Sequence, residues 1–140
     1  RLDRLGARLT RRIVVQHNEA DLSRAIAAAS GSMVMILTGS ATSDAYDVAP
    51  QAVRIAGGQV TRFGMPVDPG NLLFVGTIGD KPVIGLPGCA RSLALNGADW
   101  VVERTLCGMQ LTDADIAGMG VGGLLKESPA RHHPRGSVKK

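Results

Sequence analysis

Aromatic side chains are scarce: one Trp, one Tyr and two Phe in 140 residues. Proteins that hold looped or single-stranded nucleic acid stack bases on aromatic platforms, so the composition argues against that class. Cysteine is nearly absent as well. Cys89 and Cys107 form neither a disulfide framework nor a CxxC metal pair. No apolar run reaches the eighteen or so residues a bilayer crossing needs, and no signal-peptide hydrophobic segment is visible. A soluble, cytoplasmic protein with no membrane partner is expected. The chain begins at Arg1 rather than Met, as a piece of a longer protein would.

The main body also lacks net charge. The formal charge of +4 resides at Arg131, Arg135, Lys139 and Lys140, while residues 1–130 carry balanced acids and bases. A DNA-binding domain shows a basic face, so no nucleic-acid partner is expected. The boundaries follow: a folded domain over 1–127 and a basic flexible tail or linker over 128–140. What remains is ordinary globular material. Hydrophobic residues are 44% and charged residues 20%. A chain of this length can bury a substantial core. Glycine, at 18 residues, is about twice its usual frequency.

Hydrophobic periodicity predicts alternating elements. Arg12–Gln16 is a β-branched run that reads as a strand. Asn18 reads as an N-cap with Glu19 and Asp21 in the first turn, followed by Leu22, Ala25, Ile26 and Ala29 at helical spacing and a stop at Gly31. Met33–Leu37 is continuously apolar, as a strand buried on both faces would be. Val48, Ala52, Ile55 and Ala56 form a second helical stripe. Pro50 fits only its first turn, so that helix starts near Asp47 and ends at Gly57-Gly58. Strands are expected at 60–63, 72–75 and 82–86, the last two joined by a hairpin turn over 77–81. A longer helix is expected after Pro87-Gly88, with Ala90, Leu93, Ala94, Gly97 and Val101 on one face and a stop at Gly108. Thr112 with Asp115 reads as a capping box. The alternation implies an α/β fold: three layers, α/β/α, with a mostly parallel central sheet and an antiparallel edge.

Ligands of open α/β sheets bind beyond the carboxyl ends of the strands. Three turns fall there. Thr38-Gly39-Ser40-Ala41-Thr42-Ser43-Asp44 combines small residues with hydroxyls and a carboxylate, which suits an anion cradle of backbone N–H groups. It equally suits an ordinary strand-to-helix turn with hydroxyl caps. Pro66–Asn71, with Pro69 and Gly70, is a stiff loop that structure alone explains. Pro87, Gly88, Cys89, Arg91 and Ser92 place a thiol, a guanidinium and a hydroxyl at an expected helix start, suited to phosphate. Cys89 in that field would be reactive, although small lone cysteines more often pack. Gly118–Gly123 fits GxGxxG literally, but no strand precedes it and no acid follows at the required distance. His17, His132 and His133 form no metal constellation, and no resident metal is expected.

The ordered motifs TGSATSDAYD (Thr38–Asp47), DPGNL (Asp68–Leu72) and DKPVIGLPGCARS (Asp80–Ser92) carry a resemblance. Together they resemble the molybdopterin-binding domain of molybdenum-cofactor biosynthesis proteins, whose molybdotransferase branch reads approximately TGGVSVGDYD, KPGKP and GKPVxGLPGNPVS. The similarity runs from about Met33 to Arg104. It implies molybdopterin, or a molybdopterin nucleotide, as ligand. It implies further that Thr38, Gly39, Ser40, Thr42, Ser43, Asp44, Pro69, Gly70, Pro87, Gly88, Cys89, Arg91 and Ser92 line the site. Asp44 and Asp47 would be the candidate catalytic acids, accepting from pterin N–H groups or holding Mg2+.

The departures have direction. The family's acid after glycine aligns with Ala45. The two lysines of the PG loop become Asp68 and Asn71, and the Asn-Pro of GLPGNP becomes Cys89-Ala90. Each lost cation near an anion at 4 Å is an electrostatic effect on the order of 4 kcal/mol at an effective dielectric of 20. The resemblance therefore points to pterin binding ahead of molybdate insertion. Any activity would be that of a molybdopterin-dependent transferase. The stretches GMPVDPGNLLFVG and LNGADWVVERTLCG are most similar to a branch fused ahead of a molybdopterin nucleotidyltransferase domain, which would make the basic tail an interdomain linker. Relatives commonly form dimers or trimers, so a homo-oligomer is expected. A non-catalytic oligomerisation or scaffold domain is the alternative function.

Overall fold

The computed structural model describes residues 1–40, 42–120 and 122–123. Helix α1 (Glu19–Ala27) starts at Asn18, whose side chain accepts from Asp21 N at 2.8 Å, and it buries Ser23 and Ile26. Strand β1 (Val34–Leu37) leads through the TG-rich turn to α2 (Val48–Ile55), where Pro50 is buried in the first turn. There follow β2 (Gln59–Phe63), β3 (Val67–Asp68), β4 (Phe74–Ile78), β5 (Lys81–Leu86), α3 (Gly97–Leu106), α4 (Asp113–Ala117) and β6 (Gly122–Gly123). The cap of α4 is the reciprocal box read from sequence. Thr112 accepts from Asp115 N, while Asp115 accepts from the Thr112 backbone and hydroxyl. These two bonds to the charged form lower the Asp115 pKa below its ordinary value.

The main sheet runs β1-β5-β4-β2. Only β1 and β5 pair in parallel; β4 pairs antiparallel with both β5 and β2. The sheet is thus mixed, which corrects the expectation of a mostly parallel one. The cause is local: β4 and β5 are joined by Gly79-Asp80, a connection so short that the strands must run antiparallel. β3 and β6 make a separate small parallel ladder. The described part of Gly118–Gly123 thus follows α4 and includes the short strand β6.

Alternate residues of the central strands feed two cores. Val34, Ile36, Phe74 and Val83 pack with Ile26, Ala49, Ala52 and Val53 of α1 and α2. Val75 and Ile84 pack with Ala98, Val101 and Val102 of α3, Ile116 of α4, and Met65 and Val67. Helices consequently cover both sheet faces. Gly85 permits this packing, since a Cβ there would lie 1.9 Å from the Phe74 ring.

Two further expectations change. Among the described residues Arg12–Gln16 pairs with no strand. β-Branched residues favour extension, but a strand exists only where its backbone finds a ladder. This segment instead borders a groove of about 370 Å3 against Asp21, Arg24, Ala25 and Ala28 on α1. The long helix after Pro87-Gly88 is also absent. One 3-10 turn (Gly88–Arg91) is followed by an irregular stretch, and α3 begins only at Gly97. The tail assigned to 128–140, and the domain end at 127, lie outside the described residues.

Candidate functional site

β1 and β5 are adjacent and parallel, with Leu37 opposite Leu86 in register. The chain therefore leaves both strands at the same end of the sheet, and the Thr38 and Pro87 turns emerge side by side. A side chain ties them together: Arg91 Nη2 donates to the Thr38 carbonyl. Arg91 also passes close to Gly88, where an added Cβ would meet Nη1 at 3.6 Å.

The PG loop joins the same rim through Gly97, the residue after Asn96. The Pro69 carbonyl accepts from Gly97 N at 2.7 Å, and Asn96 Nδ2 donates to Cys89 Sγ at 3.1 Å. Asn96 is 1% exposed and caps α3 in a reciprocal box with Asp99. The buried Asn96 amide thus links the α3 start to Cys89, and the N–H of the next residue, Gly97, holds the PG loop. Arg1 fastens this segment from outside. It pairs with Asp99 and donates to the carbonyls of Ala90 (2.6 Å) and Ala94 (3.0 Å).

The TG-rich turn is held by its own acids. Asp47 Oδ2 accepts from Ser43 N (2.7 Å), Ser43 Oγ (3.4 Å) and Asp44 N (3.1 Å), and Asp44 Oδ1 accepts from Tyr46 N (2.6 Å). Two of the backbone donors expected to face an anion are already occupied by an internal carboxylate. Thr38 Oγ1 donates to the Ser40 carbonyl at 2.5 Å and lies 3.3 Å from Thr42 Oγ1. At the far side of the turn, Arg54 donates to the Ala45 carbonyl (2.7 Å) and Gln51 Oε1 (2.6 Å). Its guanidinium sits 5.2 Å from the Tyr46 ring centre.

A family model described as "Probable molybdopterin binding domain" matches residues 1–106. The chain belongs to this family. The match takes in the whole rim and reaches beyond the motif-bearing span of 33–104 to the start of the chain. No curated protein and no solved structure matches. Membership in the molybdopterin-binding domain family implies a role in molybdenum cofactor biosynthesis.

The sequence-predicted positions of this molybdopterin-binding domain divide by burial. Thr38, Thr42, Gly70 and Pro87 are buried, which suits them to shaping the turns. Pro69 and Gly88 are half-buried. Gly39, Ser40, Ser43, Asp44, Cys89, Arg91 and Ser92 are exposed, so the rim is an open shelf. Asp47 is half-buried, and its Oδ2 is occupied by the turn. The 3-10 turn at Gly88–Arg91 replaces the expected helix start. Four residues carry little dipole, so the helix-dipole argument for phosphate lapses there.

A carboxylate has about four lone-pair sites, so Asp44 and Asp47 each keep capacity for a second partner. No cluster of three His, Cys, Asp or Glu side chains suited to a metal occurs among the described residues. Mg2+ keeps several waters and is usually held by one or two carboxylates plus substrate phosphates, so it would fit this pair only with a phosphorylated ligand. Among the described residues no helix is long and apolar enough to cross a membrane.

Sequence reasoning missed Asn96 and Arg1. Asn96 had a readable signal, because Asn-Gly-Ala-Asp is a capping box ahead of an apolar stripe. Arg1 had none, since its partners lie about ninety residues away in sequence.

Proposed function

We propose that the exposed half of this rim binds molybdopterin or a molybdopterin nucleotide, and that the domain serves as a binding module in molybdenum cofactor biosynthesis. The supporting observation is the Arg91–Thr38 link, which draws the two motif-bearing turns into one surface. Arg91 spends one donor on Thr38. The rest of its five-donor fork matches phosphate. Ser40, Ser43 and Ser92, exposed on the two turns, offer further hydroxyls. Asp44 and Asp47 accept from the pterin amino and ring N–H groups, or share Mg2+ with the phosphate. The same two acids would serve any transfer chemistry. A cytoplasmic setting, and a nucleotidyltransferase domain following the 128–140 linker, complete this reading.

Titration of the chain with molybdopterin under anaerobic conditions tests it. A charge-assisted hydrogen bond contributes about 1.5–3 kcal/mol, so Arg91→Ala should weaken binding about 10-fold or more. Asp44→Ala should weaken it less. Unchanged affinity in both variants would refute the site.

The non-catalytic assembly domain is the second reading, favoured by one feature. Leu93, 89% exposed, stands beside Leu95, and Leu95 shares a small crevice with Leu5. Apolar surface of this kind suits contact with another copy. Light scattering that shows an oligomer, together with calorimetry that shows no ligand uptake, would favour it.

A further inference from the structure

The only tyrosine of the chain, Tyr46, sits on the rim as a residue 74% exposed. Tyr46 immediately precedes Asp47, the N-cap of α2, and α2 begins at the sheet end where β1 finishes. Its backbone is fixed by the 2.6 Å bond from Tyr46 N to Asp44 Oδ1. Its ring is backed by the Arg54 guanidinium, which the Ala45 carbonyl and Gln51 hold in place. A cation on one side leaves the ring one face for a ligand. In a protein this poor in aromatics, an exposed ring mounted on a doubly anchored arginine is costly to place by chance.

We infer that Tyr46, braced by Arg54, is the platform on which the flat heterocycle of the ligand stacks. This inference rests on the pterin-binding reading. The two roles are chemically separate: Arg91 answers to the phosphate, and Tyr46 to the ring. The cation beneath Tyr46 withdraws density from its π-face, which favours an electron-rich bicyclic amine stacked above. Exposure of the ring before binding also keeps this contact independent of the fold's core.

Because the chain holds a single tyrosine, fluorotyrosine labelling gives one 19F resonance, that of Tyr46. Saturating molybdopterin should shift this resonance through the ring current of the stacked heterocycle. Tyr46→Ala should raise the dissociation constant about 10-fold, the size expected for one lost stacking partner, whereas Tyr46→Phe should stay within about two-fold of the parent. The melting temperature should be unchanged in both. A resonance that does not move while calorimetry shows full binding overturns the platform and leaves the Arg91 site standing. Equal affinity of the Ala variant and the parent does the same. Absence of binding by the parent protein overturns the pterin-binding reading itself, and the platform with it. The 19F measurement uses the unsubstituted chain, so the inference stays testable if Tyr46→Ala misfolds.

Discussion

A methyl group at position 70 would lie 2.9 Å from Gly97 N and 3.0 Å from Asn96 Oδ1, on a residue whose φ is 133°. Gly70 therefore answers two demands at once, an unusual backbone angle and the seating of the PG loop on the α3 cap. Gly70→Ala should cost about 1–3 kcal/mol, measurable as a lowered urea midpoint with unchanged slope. The variant should also release Cys89 from Asn96 and weaken ligand binding. A midpoint within error of the parent would show that the loop does not need this contact. Arg91 is the other decisive residue, because its side chain serves both the rim's shape and its charge. Residue type marked Arg91 as a candidate, and the family resemblance marked Gly70. Their partners, Asn96 and the Thr38 carbonyl, were invisible because nothing local encodes a contact across 26 or 53 positions.

Caps decide the helices, and the local ones were legible. Asn18 and the Thr112–Asp115 box each begin a helix as read, because a cap is a contact within three or four residues. The start of α2 at Asp47, read from Pro50, carries no side-chain cap bond. The start of α3 was misplaced for a physical reason. Ala90, Leu93, Ala94 and Gly97 happen to fall at helical spacing, yet Leu93 is solvent-exposed and the box at Asn96 sets the true start. The Asp115 cap has a pH consequence. Its folded pKa lies below the ordinary aspartate value of about 3.9, so its contribution is complete above that value and disappears as the pH falls through the folded pKa. Amide exchange of residues 113–117 should accelerate on acidification below pH ~3.9, and Asp115→Asn should flatten the effect. Exchange that is independent of pH after correction for intrinsic rates would remove the cap from the account.

At the scale of the whole molecule, the α/β character and the cover of helices on both sheet faces follow from the alternating pattern. The β4–β5 hairpin was legible in its short turn, but the antiparallel pairing of β2 with β4 was not, since hydrophobicity does not record strand direction. Yet the one parallel ladder of the main sheet is the one that matters for the site. β1 and β5 end together, and the turns that follow them meet. The central claim is that distant stretches of the chain form a single ligand surface at that end. Amide chemical-shift mapping during titration with molybdopterin tests it most directly. Residues 38–47 and 86–92 should shift together, with one apparent affinity and with 69–70 and 96–97 following. Shifts confined to residues 11–28, around the groove beside α1, with both turns silent, would contradict it.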